Sequence, residues 1–280
     1  MRELNVAEIT KAVKTLYINA NYHLGEDVKR CIHQCGARER DELASSVFET
    51  IEHNIAVAEE GVFPICQDTG MACVFLEIGQ DVHLVGGNLT DAVNEGVRQG
   101  CKEGYLRRTI VEDPFRRKNT EDSTPADINI DIVSGEQVKV IVAPKGFGSE
   151  NMSQIRMLTP GAGVKGAEEA ILDICRQAGG NPCPPMVVGV GIGGNFNKAA
   201  LMAKKALLRP IGTHHEDAFY AEMEERLLEQ INDLNIGPQG FGGKTTALAV
   251  HILAAPTHIA GLPVAVNINC HVSRHGEILL

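Results

Sequence analysis

The sequence predicts an α+β fold, a mainly antiparallel sheet packed with several helices in a single large domain over residues 1–280. Three observations carry this. Several stretches repeat apolar residues at three- and four-residue spacing, as a helix with one buried face does. Others alternate apolar with polar residues, as a half-buried strand does. No internal repeat or obvious linker divides the chain, and 44% hydrophobic residues supply a large core.

Taken in order, residues 6–20, 25–35 and 40–60 have helical periodicity, and Pro64 follows the third helix. MACVFLEIG (71–79) is strand-like, with DVHLVGG (81–87) as its candidate partner. Residues 89–103 form a further helix broken at Gly104. Residues 107–127 contain two prolines and almost no apolar periodicity, so they read as a long loop. ADINIDIVSGEQVKVIVAPKG (126–146) reads as a hairpin. Ile128, Ile130 and Ile132 alternate with polar residues, as do Val138, Val140 and Val142, and Ser134-Gly135-Glu136 supplies the turn. Residues 163–178 are helical and closed by two glycines. MVVGVGIGGN (186–195) is an apolar strand running into glycines. Helices follow at 197–208 and 215–234, then a strand-like run to about 255, and PVAVNIN (263–269) leads to Cys270.

A formal net charge of -10 argues against a nucleic-acid or anionic-membrane surface as the main function. The longest apolar runs fall short of a membrane span, and the N-terminus lacks the apolar core of a secretory signal. The expectation is a soluble cytoplasmic protein. Eight cysteines in a chain of this length point to free thiols and metal ligands rather than to a disulfide framework. Cys101 and Cys175 lie in helical patterns and Cys73 in a strand, so these read as packed thiols. Cys31 and Cys35 lie one helical turn apart, a weak zinc signal that ordinary burial explains as well.

Cys66, Cys183 and Cys270 differ, because each sits in a segment built like a site: PICQDTG (64–70), NPCPP (181–185) and NINCHVSRH (267–275). Three thiolates suit an iron–sulfur cluster with one iron open to substrate, and an open iron is a Lewis acid. A zinc site would need a fourth ligand, for which His271 is nearby. Two glycine motifs suggest a different class, a nucleotide-binding module. GVGIGG (189–194) fits a dinucleotide fingerprint, but the second strand that should follow it is missing; close helix–strand packing explains the same glycines. GFGGKTT (240–246) resembles a phosphate loop, yet Pro238 stands where the first glycine should be.

Taken together, PICQDTG, GYLRR, PKGFGSEN, NPCPP, GIGGN, GFGGKTTALAV, PTHIAGLPVAV and NCHVSRH span residues 64 to 275. This ordered set resembles the class I (iron–sulfur) fumarases and the related L(+)-tartrate dehydratases, specifically their α-subunit or N-terminal half. The resemblance implies a [4Fe–4S] cluster held by Cys66, Cys183 and Cys270. It makes Asp68 an acid/base group partnered by His258, and Gln67 a hydrogen-bonding contact to substrate. Arg107 matches the arginine on a substrate carboxylate, with Arg108 as the adjacent alternative. Gly148 and Asn151 match a substrate loop, with Gly146 as the rival for Gly148 and with Phe147 where a glycine is expected. His271, Arg274 and His275 would stand behind the cluster ligands. Single-chain members continue into a second domain, whereas this sequence stops at Leu280. The resemblance therefore implies a separate β-subunit, an α2β2 assembly and a small dicarboxylate substrate. Hydration of fumarate to (S)-malate is the leading expectation, and conversion of tartrate to oxaloacetate is the alternative.

Overall fold

The structure, a computed structural model, describes Arg2–Leu280. In chain order the elements are β1 (Arg2–Asn5), α1 (Val6–Tyr22), α2 (Glu26–Arg38), α3 (Glu42–Glu59), β2 (Met71–Gly79), β3 (Val82–Val85), α4 (Leu89–Glu103), β4 (Asp127–Val133), β5 (Val138–Lys145), α5 (Phe147–Glu150), β6 (Gln154–Leu158), α6 (Gly163–Ala178), β7 (Met186–Gly193), α7 (Phe196–Ala206), α8 (Ala218–Asn232), β8 (Ala247–Ala255), β9 (Leu262–Asn269) and β10 (Gly276–Leu279). The fold is α+β. The helices lie where their periodicity puts them. Residues 107–126 stay irregular apart from one bridge between Val111 and Asn119. Among the described residues, no helix is long and apolar enough to cross a membrane.

Two compact units share the chain. The first comprises the residues up to Leu24, Ile55–Phe147 and Arg274–Leu280; the second comprises Gly25–Asn54 and Gly148–Ser273. Because the chain enters each unit more than once, no linker shows in the sequence.

In the first unit a four-stranded sheet has the order β10-β5-β2-β4. Here the structure corrects the expected hairpin: β4 and β5 do not pair with each other. β2 lies between them, antiparallel to β5 (Val74 opposite Val142) and parallel to β4 (Val74 opposite Ile128). The reason lies in β2, where Ala72 through Leu76 are all buried, so it needs cover on both faces and a neighbour on both edges. β4 keeps its outer face open, with Ile132 68% exposed. The predicted pairing of 81–87 with β2 also fails, since β3 pairs in parallel with β1, with Leu4 opposite Leu84. Helix α1 starts from Asn5, whose side chain accepts the Ala7 N–H as an N-cap. Its buried stripe of Ile9, Val13, Leu16 and Tyr17 packs with Val93 and Val97 of α4 and with Val138, Val140 and Val142 of β5.

In the second unit the sheet order is β6-β9-β7-β8, with β7 buried along its whole length. Helices α6 and α8 cover one face through Ile171, Ile174, Met223, Leu227 and Ile231, against Val188, Val190, Val250 and Val266. Each such fully buried aliphatic side chain contributes about 2 kcal/mol. Helix α7 lies on β7 so closely that a Cβ on Gly191 would stand 2.1 Å from the carbonyl oxygen of Ala199, and one on Gly189 2.2 Å from that of Ala203. These are the glycines of GVGIGG, and the helix backbone fills the space they leave. Among the described residues, four strand pairs are antiparallel and three parallel.

Candidate functional site

Cys66, Gln67 and Asp68 occupy a tight turn between Ile65, a core residue, and β2. The Asp68 backbone N–H donates to the Cys66 sulfur at 3.4 Å. The Asp68 carboxylate is held by two amides, Gly70 N–H on Oδ1 at 3.0 Å and Phe147 N–H on Oδ2 at 2.8 Å. The buried Arg274 donates through Nη2 to the Asp68 carbonyl and through Nε to the Pro144 carbonyl at 3.5 Å. Its Nη1 is buried without a partner. The Gly70 carbonyl is fixed by the hydroxyls of Tyr17 and Thr109, each at 3.0 Å. Burial pushes the Tyr17 phenol above its ordinary range, and the nearby Cys101 thiol adds to this, so it is a lasting donor there.

Arg107 is exposed and donates through Nη1 to Gln67 Oε1 at 2.9 Å. Its backbone is pinned, because Arg107 N–H donates to the Thr69 hydroxyl at 3.0 Å and the Ser123 hydroxyl donates to its carbonyl at 3.1 Å. The Arg108 guanidinium pairs instead with Glu121. A Cβ on Gly146 would come within 3.3 Å of Asp68 Oδ2, whereas one on Gly148 would meet nothing closer than 4.0 Å. Phe147 itself is 43% exposed and contributes its amide, so a side chain at this position is compatible with the loop.

On the second unit, Cys183 is exposed and adopts φ 55°, in the left-handed region. His271 follows Cys270 directly, and its backbone N–H donates to the Cys183 carbonyl at 3.3 Å, which brings the two cysteine segments together. His258 and Asn151 are exposed. His258 Nδ1 accepts the Ala260 N–H at 3.2 Å, so a neutral ring carries its proton on Nε2. The His258 ring borders a cavity of about 380 Å³ lined mainly by Val164, Ile192, Phe219 and Met223. Gly148 lies within the single helical turn α5, and Asn151 directly follows it.

The donor chemistry fits iron–sulfur ligation. None of the eight cysteines is in a disulfide, and Cys73, Cys101 and Cys175 are sealed in the core. Cys66, Cys183 and Cys270 instead lie at least partly exposed on irregular segments, and the sulfur of Cys66 already receives an amide N–H of the kind that tunes a cluster thiolate. Among the described residues, no three His, Cys, Asp or Glu side chains are gathered as a ready metal site.

Two supporting residues escape sequence reasoning. Tyr17 reads as one more core position of α1. Lys145 reads as a polar end of β5, yet it is only 4% exposed and its Nζ lies 3.4 Å from the Gly146 carbonyl. No local pattern distinguishes either residue.

The family model described as fumarate hydratase (Fumerase) matches residues 10–279. The chain belongs to the fumarate hydratase family, a family of hydro-lyases. A Methanocaldococcus jannaschii protein, provisionally named L(+)-tartrate dehydratase subunit alpha, is 40% identical over 273 residues, covering 95% of each chain. The L(+)-tartrate dehydratase subunit alpha of Escherichia coli O157:H7 is 31% identical over 279 residues, covering 98% of this chain and 91% of its own. The protein of the same name from Shigella sonnei is 30% identical over 279 residues, with the same coverage.

Proposed function

We propose that this chain is the α-subunit of a two-component iron–sulfur hydro-lyase that reversibly hydrates fumarate to (S)-malate. The observation that carries the reading is the turn at 66–68, where a thiol, an amide and a braced carboxylate follow one another and Arg107 bonds to the amide at 2.9 Å. Hydration of an unsaturated dicarboxylate needs these groups: a cation for a carboxylate, a proton carrier and an electrophile. Cys66, Cys183 and Cys270 are the residues that would hold a [4Fe–4S] cluster, which supplies a Lewis-acidic iron when bound.

The remaining steps belong to this chain's own side chains. Arg107, whose guanidinium has further N–H donors beyond the one given to Gln67, grips a substrate carboxylate; the ion pair of Arg108 with Glu121 supports Arg107 over its neighbour. Asp68 carries the proton at the reacting carbon, and His258, with its proton on Nε2, is its partner. Gln67 orients substrate, and the segment from Gly148, in α5, to Asn151 contributes polar contacts. The alpha-subunit names of the relatives support a partner subunit. The proposal takes it as a separate β-subunit that completes the enzyme in an α2β2 assembly.

A second reading, L(+)-tartrate to oxaloacetate, is favoured by the relatives' names. The test pairs the anaerobically reconstituted chain with a β-type subunit and measures turnover of fumarate, (S)-malate and L(+)-tartrate. Faster turnover of fumarate and malate supports the first reading. Preferential turnover of tartrate installs the second. A chain that takes up no iron and sulfide overturns both.

A further inference from the structure

We propose that Gln239 is a positioning residue that ties the Cys183 turn to the Cys270–His271 segment and so holds the two thiols in a fixed relation. Its relevance to catalysis rests on the reading of these cysteines as cluster ligands; the clamp itself stands on geometry alone.

The GPQGFGG run fits no phosphate loop, and its glycines serve another purpose. A Cβ on Gly240 would stand 2.9 Å from the Cα of Gly180, and one on Gly180 3.2 Å from the Cα of Gly240. The loop before Cys183 and the loop carrying Gln239 therefore meet backbone on backbone. That contact seats Gln239 against the residue after Cys183. The Gln239 N–H donates to the Pro184 carbonyl at 2.8 Å, and its side-chain Nε2 donates to the same oxygen at 2.9 Å. The second hydrogen of Nε2 points to His271 Nδ1 at 3.1 Å. Both amide hydrogens and both lone pairs of the Pro184 carbonyl are thereby used.

Pro184 fixes the side-chain nitrogen of Gln239 as the donor. His271 Nδ1 lies 3.1 Å from that nitrogen and also 3.1 Å from the Cys183 carbonyl oxygen, and the clamp uses the tautomer in which Nδ1 accepts from Gln239 and the ring proton sits on Nε2. The His271 backbone then returns to Cys183 through its N–H, 3.3 Å from the Cys183 carbonyl. A closed path runs from Cys183 through Pro184, Gln239 and His271 back to Cys183, with Cys270 on the adjoining peptide. Gln239 at φ 54° and Cys183 at φ 55° both occupy the left-handed region, at a cost on the order of 1 kcal/mol or more each. The Gln239 side chain extends from one of these positions and bonds the residue that follows the other, so it ties the two turns together.

The experiment compares the reduced chain, without cluster, with Gln239→Glu, which keeps the shape and removes both donors. Gln239→Met is read in its place if the carboxylate prevents folding. Iodoacetamide alkylation is followed at Cys183, Cys270 and, as internal standard, Cys66 by peptide mass spectrometry, and hydrogen exchange is followed at the His271 amide. Loss of the clamp is expected to speed alkylation of Cys183 and Cys270 relative to Cys66, and exchange at His271, by about tenfold, the equivalent of one or two hydrogen bonds. Unchanged ratios and unchanged exchange, whatever the melting temperature does, would overturn the proposal. Iron uptake by the wild-type chain is scored separately. Its absence sinks the hydro-lyase reading and leaves the clamp decided by the other two measurements.

Discussion

Phe147 donates its backbone N–H to Asp68 across the end of the sheet, 2.8 Å from Oδ2, while the other oxygen takes the N–H of Gly70. Both carboxylate oxygens are thus engaged by rigid backbone donors, which fixes the plane of the group. A side chain amide cannot satisfy both, because its NH2 would face one of the two N–H groups. Asp68→Asn is expected to lower turnover by at least about a hundredfold through loss of the proton carrier. It should also cost about 1–2 kcal/mol of stability through the mismatched donor. Iron content per chain should stay at the wild-type level. Steady-state kinetics, iron analysis and thermal unfolding check the three parts, and unchanged turnover would remove Asp68 from the chemistry.

Arg107 and Arg108 are neighbours in sequence with opposite commitments, one bonded to Gln67 and the other to Glu121. Lysine keeps the charge of arginine but loses its planar fork. Arg107→Lys is expected to raise KM for the dicarboxylate by about 10- to 100-fold, the range set by a charged hydrogen bond. Arg108→Lys should leave KM within about twofold, since exposed ion pairs contribute little. The reverse pattern would exchange the two assignments.

Much of this fold is legible because helices declare their buried face locally. The stripe Ile9, Val13, Leu16, Tyr17 is visible in the sequence and is the stripe that packs. Strand partners are not declared in this way. Alternation in β4 and β5 reports which side each strand buries, and it says nothing about β2 coming between them. The short β1, β6 and β10 escape notice because four or five residues carry too little pattern. The candidate site shows in the sequence as motifs, since Cys66, Asp68 and Arg107 sit in distinctive strings. Buried polar supports do not show. Tyr17 and Lys145 beside the site read as core and strand-end positions, and Glu224 looks like one more charge on α8, yet it is 4% exposed, pairs with Arg209 and accepts the Ile252 N–H at 2.7 Å. Such roles depend on contacts far away in sequence.

Gly191 separates the two readings of GVGIGG. A methyl group there would overlap the Ala199 carbonyl at 2.1 Å, which is backbone and cannot turn aside. Gly191→Ala must push α7 off β7, and the expected loss is about 3 kcal/mol, the upper part of the range for overpacking. Chemical denaturation measures it. A variant of wild-type stability would show that the close approach is not needed, and would return these glycines to the dinucleotide-binding reading.

His251 gives the chain a defined acid sensitivity. Its ring is 1% exposed on β8, and neither nitrogen makes a hydrogen bond of good geometry. The charged groups facing it are Arg209, Glu224 and Asp27. Burial first, and the Arg209 guanidinium second, lower its pKa from 6.5 to about 4, against the smaller opposing pull of Glu224. The folded protein therefore refuses a proton that the unfolded chain accepts. Stability held above pH 6.5 is lost as the pH falls toward 4 and is constant below it, with a total of about 3 kcal/mol if the full difference is realised. His251→Leu removes both the titration and the two unpaired nitrogens. At pH 7 the variant should be at least as stable as wild type to within about 1 kcal/mol, because an apolar replacement of an unsatisfied polar group is near neutral. At pH 4.5 it should be clearly more stable. Denaturation curves for both proteins across that range decide the matter, and parallel pH dependences would show that the buried ring is not the source of the acid sensitivity.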